Sequence, residues 1–428
     1  MSNDELINSL LEDNEYIIKN TIDIKDQVVR FNSEIDEKVK GIEKGSDNQK
    51  NISATLELLK EKIENFKNSD ELKYFLKTYS QFHNYSLNNT LLIHFQTNGK
   101  ATRVAGYKTC EKLGRHVKKC EKGIKIFAPS YYYKEVPVKD EQGNIMIDEN
   151  GNTITEKVKV DYFRMVTVFD ISQTEGRELP VLDLSIKEDI SELDKPLLNY
   201  AHKNNINVTY KTPADDLLLF QGAKGYSSGG KVVINADIPI SDQTSVLIHE
   251  LAHEKLHHNL PEGVVYTQEQ EEMEADAVSF VVLNRYGIDS KSEKYLALYH
   301  KDYDIMESLD RITKVSSDII KEIDTYLELQ VQRDNVIDKL NLYNQLEDQL
   351  DKVNSALVNL SPGDKNYDDL MQQKNDIIEQ LGKLDKAEIN KEKKEIDNKL
   401  KKYNKFENYR ENKLNKNKEE LNFEEAIR

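Results

Sequence analysis

The chain has 428 residues, and its 38% hydrophobic and 32% charged residues compare with usual shares of about 45–50% and 25%. That mixture builds cores while leaving a surplus of charge suited to exposed helices, and no apolar run is long enough to cross a bilayer as a helix. Sixty Lys/Arg against 77 Asp/Glu give a net −17; two cysteines cannot staple a chain of this size, and Met1-Ser-Asn-Asp-Glu lacks a secretory signal, so a cytoplasmic protein with no membrane partner is expected.

In chain order, residues 1–49 predict an N-terminal helical region, with Leu6, Leu10, Ile17, Ile24, Val28, Ile35 and Val39 on a helical period. A polar break near Gly41–Gln49 precedes a helical pattern over Ile52–Phe66, and another runs from 72 to about 97, ending at Asn98-Gly99. Ile124–Pro129 is a short apolar run. Tyr131–Val138 and Thr153–Val160 alternate around the turn signals Gly143-Asn144 and Asn150-Gly151-Asn152, predicting a β-hairpin insertion at about 131–162. With a further strand at Phe163–Phe169, residues 50–180 form one α+β domain.

A second block spans 184–310. Leu184–Asn204 predicts a helix, Asn207–Lys211 and Lys231–Asn235 strands, and Gly222–Gly230 a turn between them; helices follow at Ser241–His258 and Gln268–Tyr286. In the last region, 311–428, Leu346, Leu350, Val353, Leu357 and Leu360 step by 4, 3, 4 and 3. Ser361-Pro-Gly-Asp364 interrupts the pattern, so the expected form is an antiparallel coiled-coil hairpin turning at Pro362-Gly363, available to itself, a partner or a second copy. Past about 390 the Lys/Glu/Asn content predicts a solvated or frayed helix.

Charge is unevenly placed. Residues 72–134 hold twelve Lys/Arg and two acids, a net +10, while the remainder, with 48 basic and 75 acidic residues, carries −27. A basic island in an acidic chain is the footprint of a polyanion-binding surface.

The chemistry concentrates at His249-Glu250-Leu251-Ala252-His253. On a helix, positions i and i+4 share a face, so both imidazoles can reach one ion while Glu250 is placed to take a proton from a water activated by that ion. His257 lies eight residues from His249, about 12 Å along the axis, too far for the same ion. No glycine follows at the metzincin position and Asn259 stands where its third histidine would be, so His257 and His258 are expected to be bystanders. A catalytic zinc needs one more protein ligand. Glu272-Met-Glu-Ala-Asp276 resembles the second helix of gluzincins, and that resemblance implies Glu272 as ligand (Glu271 being its competitor) and Asp276 as the residue orienting His249. Glu274 faces elsewhere and is expected to be a solvated charge.

Val246–His253 with Glu272-x-Glu-Ala-Asp276-Ala-x-x-Phe-Val281 resembles the ImmA/IrrE-like metallopeptidases over about 200–290. The resemblance implies a minimal zincin fold with bound Zn2+ and the Lys231–Asn235 strand as an edge for an extended protein or peptide substrate; the chemistry also requires an oxyanion donor, for which Tyr226, Tyr266 and His300 are candidates that the sequence does not separate. Tyr85–Ile93, Ala101–Lys108, Leu113–Lys119, Glu121–Ile126, Ala128-Pro129 and Val168–Gly176 resemble, in register, the N-terminal single-stranded-DNA-binding domain of ArdC-type antirestriction and LtrC-like proteins of conjugative elements. Single strands are held by cations along phosphates and planar groups under bases. Arg103, Lys108, Arg115, Lys118, Lys119 and Lys122 are the phosphate candidates, Tyr85 and Tyr107 the stacking faces, and Asn89 a hydrogen-bonding group; Tyr131–Tyr133, Phe75 and Phe82 are read as packing residues. Cys110 replaces a Trp and Cys120 a Gly common in that family; both are expected as free thiols.

The expected protein is therefore α+β with a helical tail: a single-stranded-DNA-binding protein of a mobile element, protecting transferred DNA, with a zinc metallopeptidase-like domain. The alternatives are a regulatory zinc protease that cleaves a repressor and is targeted to DNA, and a non-enzymatic scaffold with a structural metal. Glu250 argues against the last, since a structural site has no use for a general base.

Overall fold

The computed structural model describes residues 48–64, 69–140, 142–148, 152–179, 190–258, 260–261, 263–288, 304–413 and 415. The helical region expected over 1–49 lies, save its last two residues, outside them, as does His300. The chain divides into two compact units, Met1–Leu182 with Ser290–Lys314, and Asp183–Asp289 with Val315–Arg428.

The first unit begins with helices α1 (Asn48–Glu64), α2 (Ser69–Gln81) and α3 (Leu87–Thr97). The single helical pattern predicted over 72–97 is broken at 82–86, where Ser86 adopts an extended conformation and its hydroxyl accepts from the Asn89 amide as the α3 N-cap. Leu59, Ile63, Phe75, Leu76, Leu91, Leu92 and Ile93 are essentially inaccessible and form the core of this unit, with Phe82 also buried. Helix α3 ends as the sequence predicts: Asn98 takes a left-handed conformation, and a side chain on Gly99 (φ +60°) would meet the Thr78 hydroxyl at 2.8 Å.

Strand β1 (Val104–Gly106), the short helix α4 (Tyr107–Lys112), β2 (Arg115–Val117), β3 (Ile124–Pro137), β4 (Thr155–Asp170) and β5 (Thr174–Gly176) follow. The main sheet has the order β1-β4-β3, and β2 pairs with β5. The predicted hairpin insertion is the outer half of two continuous antiparallel strands, in register from Ile124↔Val168 to Pro137↔Thr155. Ile124, Ile126 and Val168 at its base are buried against the domain, whereas Tyr131, Tyr132 and Tyr133 are 56%, 50% and 62% exposed, with Phe163 at 57%. The reading of these tyrosines as packing residues is therefore corrected: an arm of two strands has no third layer to bury them.

The second unit has helix α5 (Asp194–Lys203), preceded by a 3₁₀ turn at Ile190–Leu193, then β6 (Asn207–Lys211), the short helix α6 (Leu217–Phe220), β7 (Gly225–Ser227), β8 (Lys231–Asn235), α7 (Ile240–Leu256) and α8 (Gln268–Arg285). The helix predicted from Leu184 is described only from 190 onward. The sheet order is β6-β8-β7, with β6 parallel and β7 antiparallel to β8. β8 is thus the central strand, not the edge expected from the sequence. The edge beside it is β7, hidden in a segment whose Gly and Ser residues suggested only a turn. Val232, Val233 and Ile234 of β8 and Leu247, Ile248 and Leu251 of α7 are fully buried, which fixes α7 on the sheet.

Helix α9 (Ile305–Leu357) belongs to the first unit up to Lys314 and to the second from Val315. Within the second unit, α10 (Tyr367–Gly382) and α11 (Lys386–Asn404) return along it. Arg333–Asp397, Lys339–Glu392 and Lys386–Glu347 pair antiparallel across α9 and α11, and the reversal lies between α9 and α10, around Pro362-Gly363. Among the described residues past 390 the helix holds rather than frays: Ile389, Ile396, Leu400 and Tyr403 lie on one face and are buried. Glu322 gathers Asn199, Lys203 and Tyr403 at 2.5–2.8 Å, and Arg410 pairs with Asp194. These contacts join 315–410 to the block at 183–289, where the sequence suggested a separate tail.

Candidate functional site

Helix α7 carries His249, Glu250 and His253, and α8 packs beside it with Glu272 and Asp276. His249 Nδ1 donates to Asp276 Oδ1 at 2.9 Å. With Nδ1 taken by Asp276, its Nε2 faces the other candidate ligands, 3.0 Å from His253 Nε2 and 3.4 Å from Glu272 Oε2, with Glu272 Oε1 3.7 Å from His253 Nε2. One ligand atom from each of His249, His253 and Glu272 lies within 4.8 Å of the others. Burial opposes a charged His249, but hydrogen bonds to Asp276 and Glu272 outweigh it and push its pKa up to about 10. The Glu272 carboxyl is held well below the usual range by hydrogen bonding with His249 and then His253. Two imidazoles and a carboxylate on adjacent helices fit a divalent ion with room for a further ligand.

Glu250 is buried beside this trio, and burial raises its pKa against the charges of His249 and His253 and a hydrogen bond from Ser227 of β7. The edge strand therefore runs beside the residue suited to proton transfer. Tyr226 of the same strand donates to Asp216 Oδ2 at 2.8 Å, and with burial this carries its pKa up to about 12; its hydroxyl is committed there. Tyr266 packs edge-on to His257 at 6.0 Å between ring centres.

Two expectations at this site are corrected. His257 and Glu274 are neither bystander nor solvated charge: their side chains are 3% and 0% exposed and they meet at 3.3 Å. His257 Nδ1 also lies 3.0 Å from His253 Nδ1. Helical spacing placed His257 in line with the two ligands, a signal read only for direct coordination. His258 contacts Ser227 Oγ at 3.2 Å and Glu254 Oε1 at 3.8 Å, and Glu254 in turn accepts from the amides of Ser228 and Gly230, pinning the β7–β8 turn.

In the first unit the candidates divide. Asn89 donates to the Phe127 carbonyl at 2.9 Å and accepts from its amide at 2.8 Å, so it clamps β3 to α3 rather than facing a ligand. The Arg115 guanidinium is spent on Thr174 Oγ1, the Thr174 carbonyl and the Arg177 carbonyl, closing β2 on β5. Lys118 Nζ donates to the Ser172 carbonyl at 2.8 Å. Tyr85 is half-buried, edge-on to Phe82, with its hydroxyl 3.4 Å from the Val104 carbonyl. These four side chains are each engaged by hydrogen bonds within the domain, Lys118 while remaining exposed. Arg103, Lys108, Lys119 and Lys122 are exposed, and Tyr107 is 52% exposed at the start of α4. Cys110 is buried and Cys120 exposed, both free, so Cys110 occupies a core position. Cys120 has φ +68°, a conformation that favours glycine.

The geometry thus defines a cation-binding constellation in one unit and a cationic α+β domain in the other. Residues 46–169 match the family model of the N-terminal domain of anti-restriction factor ArdC. The uncharacterized protein pXO2-81 of Bacillus anthracis is 32% identical over 289 residues, covering 60% of this chain and 48% of that protein, so the chain spans about half the length of the curated relative it matches. Crystal structures of the antirestriction ArdC protein from plasmid R388 are each 18% identical over 56% of this chain: the metal-free form with TM-score 0.32 over 86% of its own chain, and the Mn(II)-bound form with 0.31 over 83%. No helix among the described residues is long and apolar enough to cross a membrane.

Proposed function

We propose that the chain is a single-stranded-DNA-binding antirestriction protein of a mobile element whose second unit is a zinc-dependent, peptidase-like hydrolase. The observation that carries the enzymatic part is the trio of mutually facing acceptors, His249 Nε2, His253 Nε2 and Glu272, with Glu250 buried alongside. His₂Glu is a donor set that suits zinc. A bound zinc would polarise a substrate carbonyl and acidify a water. Glu250, its carboxyl raised by burial, accepts the proton and later returns it to the leaving amine. Strand β7, terminal in its sheet among the described residues, offers backbone groups to an extended chain next to Glu250.

The DNA part is supported by the ArdC match over 46–169 and by the exposed Arg103, Lys108, Lys119 and Lys122 with Tyr107. Protection of transferred DNA follows from that resemblance. A protease that cleaves a repressor uses the same residues and differs only in its substrate, which proteomic comparison of host cells expressing wild type or Glu250→Gln would identify. Metal analysis of the purified chain tests the reading directly. About one zinc per chain is expected, retained in Glu250→Gln and lost in His249→Ala; a wild-type protein that binds no zinc overturns it.

A further inference from the structure

We infer that His257 and Glu274 are positioning residues for the metal centre: a buried relay, Glu274–His257–His253, that fixes which nitrogen of His253 faces the ion. The inference rests on the metal reading above and deepens it.

His249, His253 and His257 follow one another at four-residue intervals on α7, so their rings form a row along one helix face. Only the first two adjoin Glu272. The third closes the row from behind: its Nδ1 lies 3.0 Å from His253 Nδ1, and its Nε2 lies 3.3 Å from Glu274 Oε2. The second Glu274 oxygen accepts from Gln270 Nε2 at 3.2 Å. A carboxylate with no exposed surface is kept in a fold only when its oxygens are paired.

The proton positions follow from the Glu274 end. In this relay the Glu274 oxygen 3.3 Å away accepts, and His257 carries its hydrogen on Nε2. A neutral imidazole then has a bare Nδ1, which must accept in the 3.0 Å contact with His253. His253 therefore carries its hydrogen on Nδ1, and its Nε2 lone pair points at His249 and Glu272. Asp276 fixes His249 in the same tautomer directly, at 2.9 Å. One ligand is oriented by a carboxylate and the other by a carboxylate acting through an imidazole, which leaves both Nε2 atoms free for the cation.

The test uses the full-length protein and zinc(II) competed against a chromophoric chelator, with circular dichroism of the metal-free proteins as the control for folding. His257→Phe is expected to weaken zinc binding about 10–100-fold. Glu274→Gln should weaken it less, because the amide oxygen can still accept from His257. Histidine-selective ¹⁵N NMR of wild type should show His253 protonated at Nδ1 with and without zinc, and His257→Phe should shift metal-free His253 towards the Nε2–H form, a change that loss of packing alone would not produce. Wild type that binds no zinc sinks the metal reading and the relay together. Wild type that binds while both folded variants match it within twofold overturns the relay alone. If the variants do not fold, wild-type NMR decides: a hydrogen on His257 Nδ1, or ligation through His253 Nδ1, overturns the proposal.

Discussion

The candidate metal site of the second unit and the cationic surface of the first put their polar side chains to opposite uses. At the centre, each ligand is tied to the residue that orients it, and little is left to solvent apart from Glu272, whose side chain is 43% exposed. On the surface, some cations are consumed by the fold, as Arg115 is by β2 and β5, while Lys108, Lys119 and Lys122 remain exposed. Burial makes a site all-or-none, because removing one partner strands the others. Exposure makes a surface additive, because each charge acts through a screened field. The sharpest contrast should come from Glu250→Gln. Zinc content should stay at about one per chain while hydrolysis, read from substrate fragments in expressing cells, falls about 10²–10⁴-fold.

The same contrast can be drawn inside the first unit, where Arg115 and the three lysines carry like charge and should behave differently. Arg115→Ala removes charge-assisted bonds to Thr174 and Arg177 and should cost about 2 kcal/mol of stability in denaturant unfolding. The triple change Lys108→Ala/Lys119→Ala/Lys122→Ala should leave unfolding unchanged. It should instead flatten the plot of log binding constant against log salt for a labelled oligonucleotide by about 2, at roughly 0.7 per phosphate contact on a single strand. A triple variant with unchanged slope would remove these lysines from the interface.

Asp170 brings the logic of the metal centre into the first unit on a smaller scale. Burial opposes its ionisation, yet bonds from Ser172 and from the amides of Thr102 and Arg103 prevail and hold its carboxyl below the ordinary value. A carboxyl depressed on folding stabilises the native state above the unfolded pKa of about 4, and that contribution is lost as pH falls through the lower folded value. Acid unfolding of wild type should therefore steepen below about pH 4, and Asp170→Asn should flatten that limb while lowering stability at pH 7.

How much of this was legible in the sequence depended on whether a residue's role is local. His249, Glu250 and His253 share a helix, so spacing alone placed them together, and the gluzincin-like spacing of Glu272 and Asp276 pointed to the neighbouring helix. His257 and Glu274 stood in the same segments, but their partnership crosses two helices and appears only once α7 and α8 are packed. Asn89 and Arg115 show the reverse error. Residue type suggested ligand contacts, whereas long-range pairing with Phe127, Thr174 and Arg177 consumed them. Strand β7 was missed because three residues rich in Gly and Ser carry no alternation, and only pairing with β8 makes them a strand. Tyr131–Val138 alternates as a strand should, but alternation does not say whether another layer lies over its tyrosines.

Cys120 gives the smallest effect and the cleanest test of what the sequence could say. The resemblance to ArdC-type domains set it where a glycine is common, and the backbone there is left-handed at φ +68°. An L-residue in that region costs about 1–2 kcal/mol, while glycine adopts it freely and pays only through a more flexible unfolded chain. The side chain is exposed, so its removal leaves no cavity to offset the gain. Cys120→Gly should therefore raise stability by roughly 0.5–1 kcal/mol. Cys120→Ala should give no such gain, since it removes the thiol and keeps the Cβ. If both variants stabilise equally, the thiol is the source and the backbone is unstrained. If only glycine does, the turn closing β2 towards β3 carries a backbone cost in this chain.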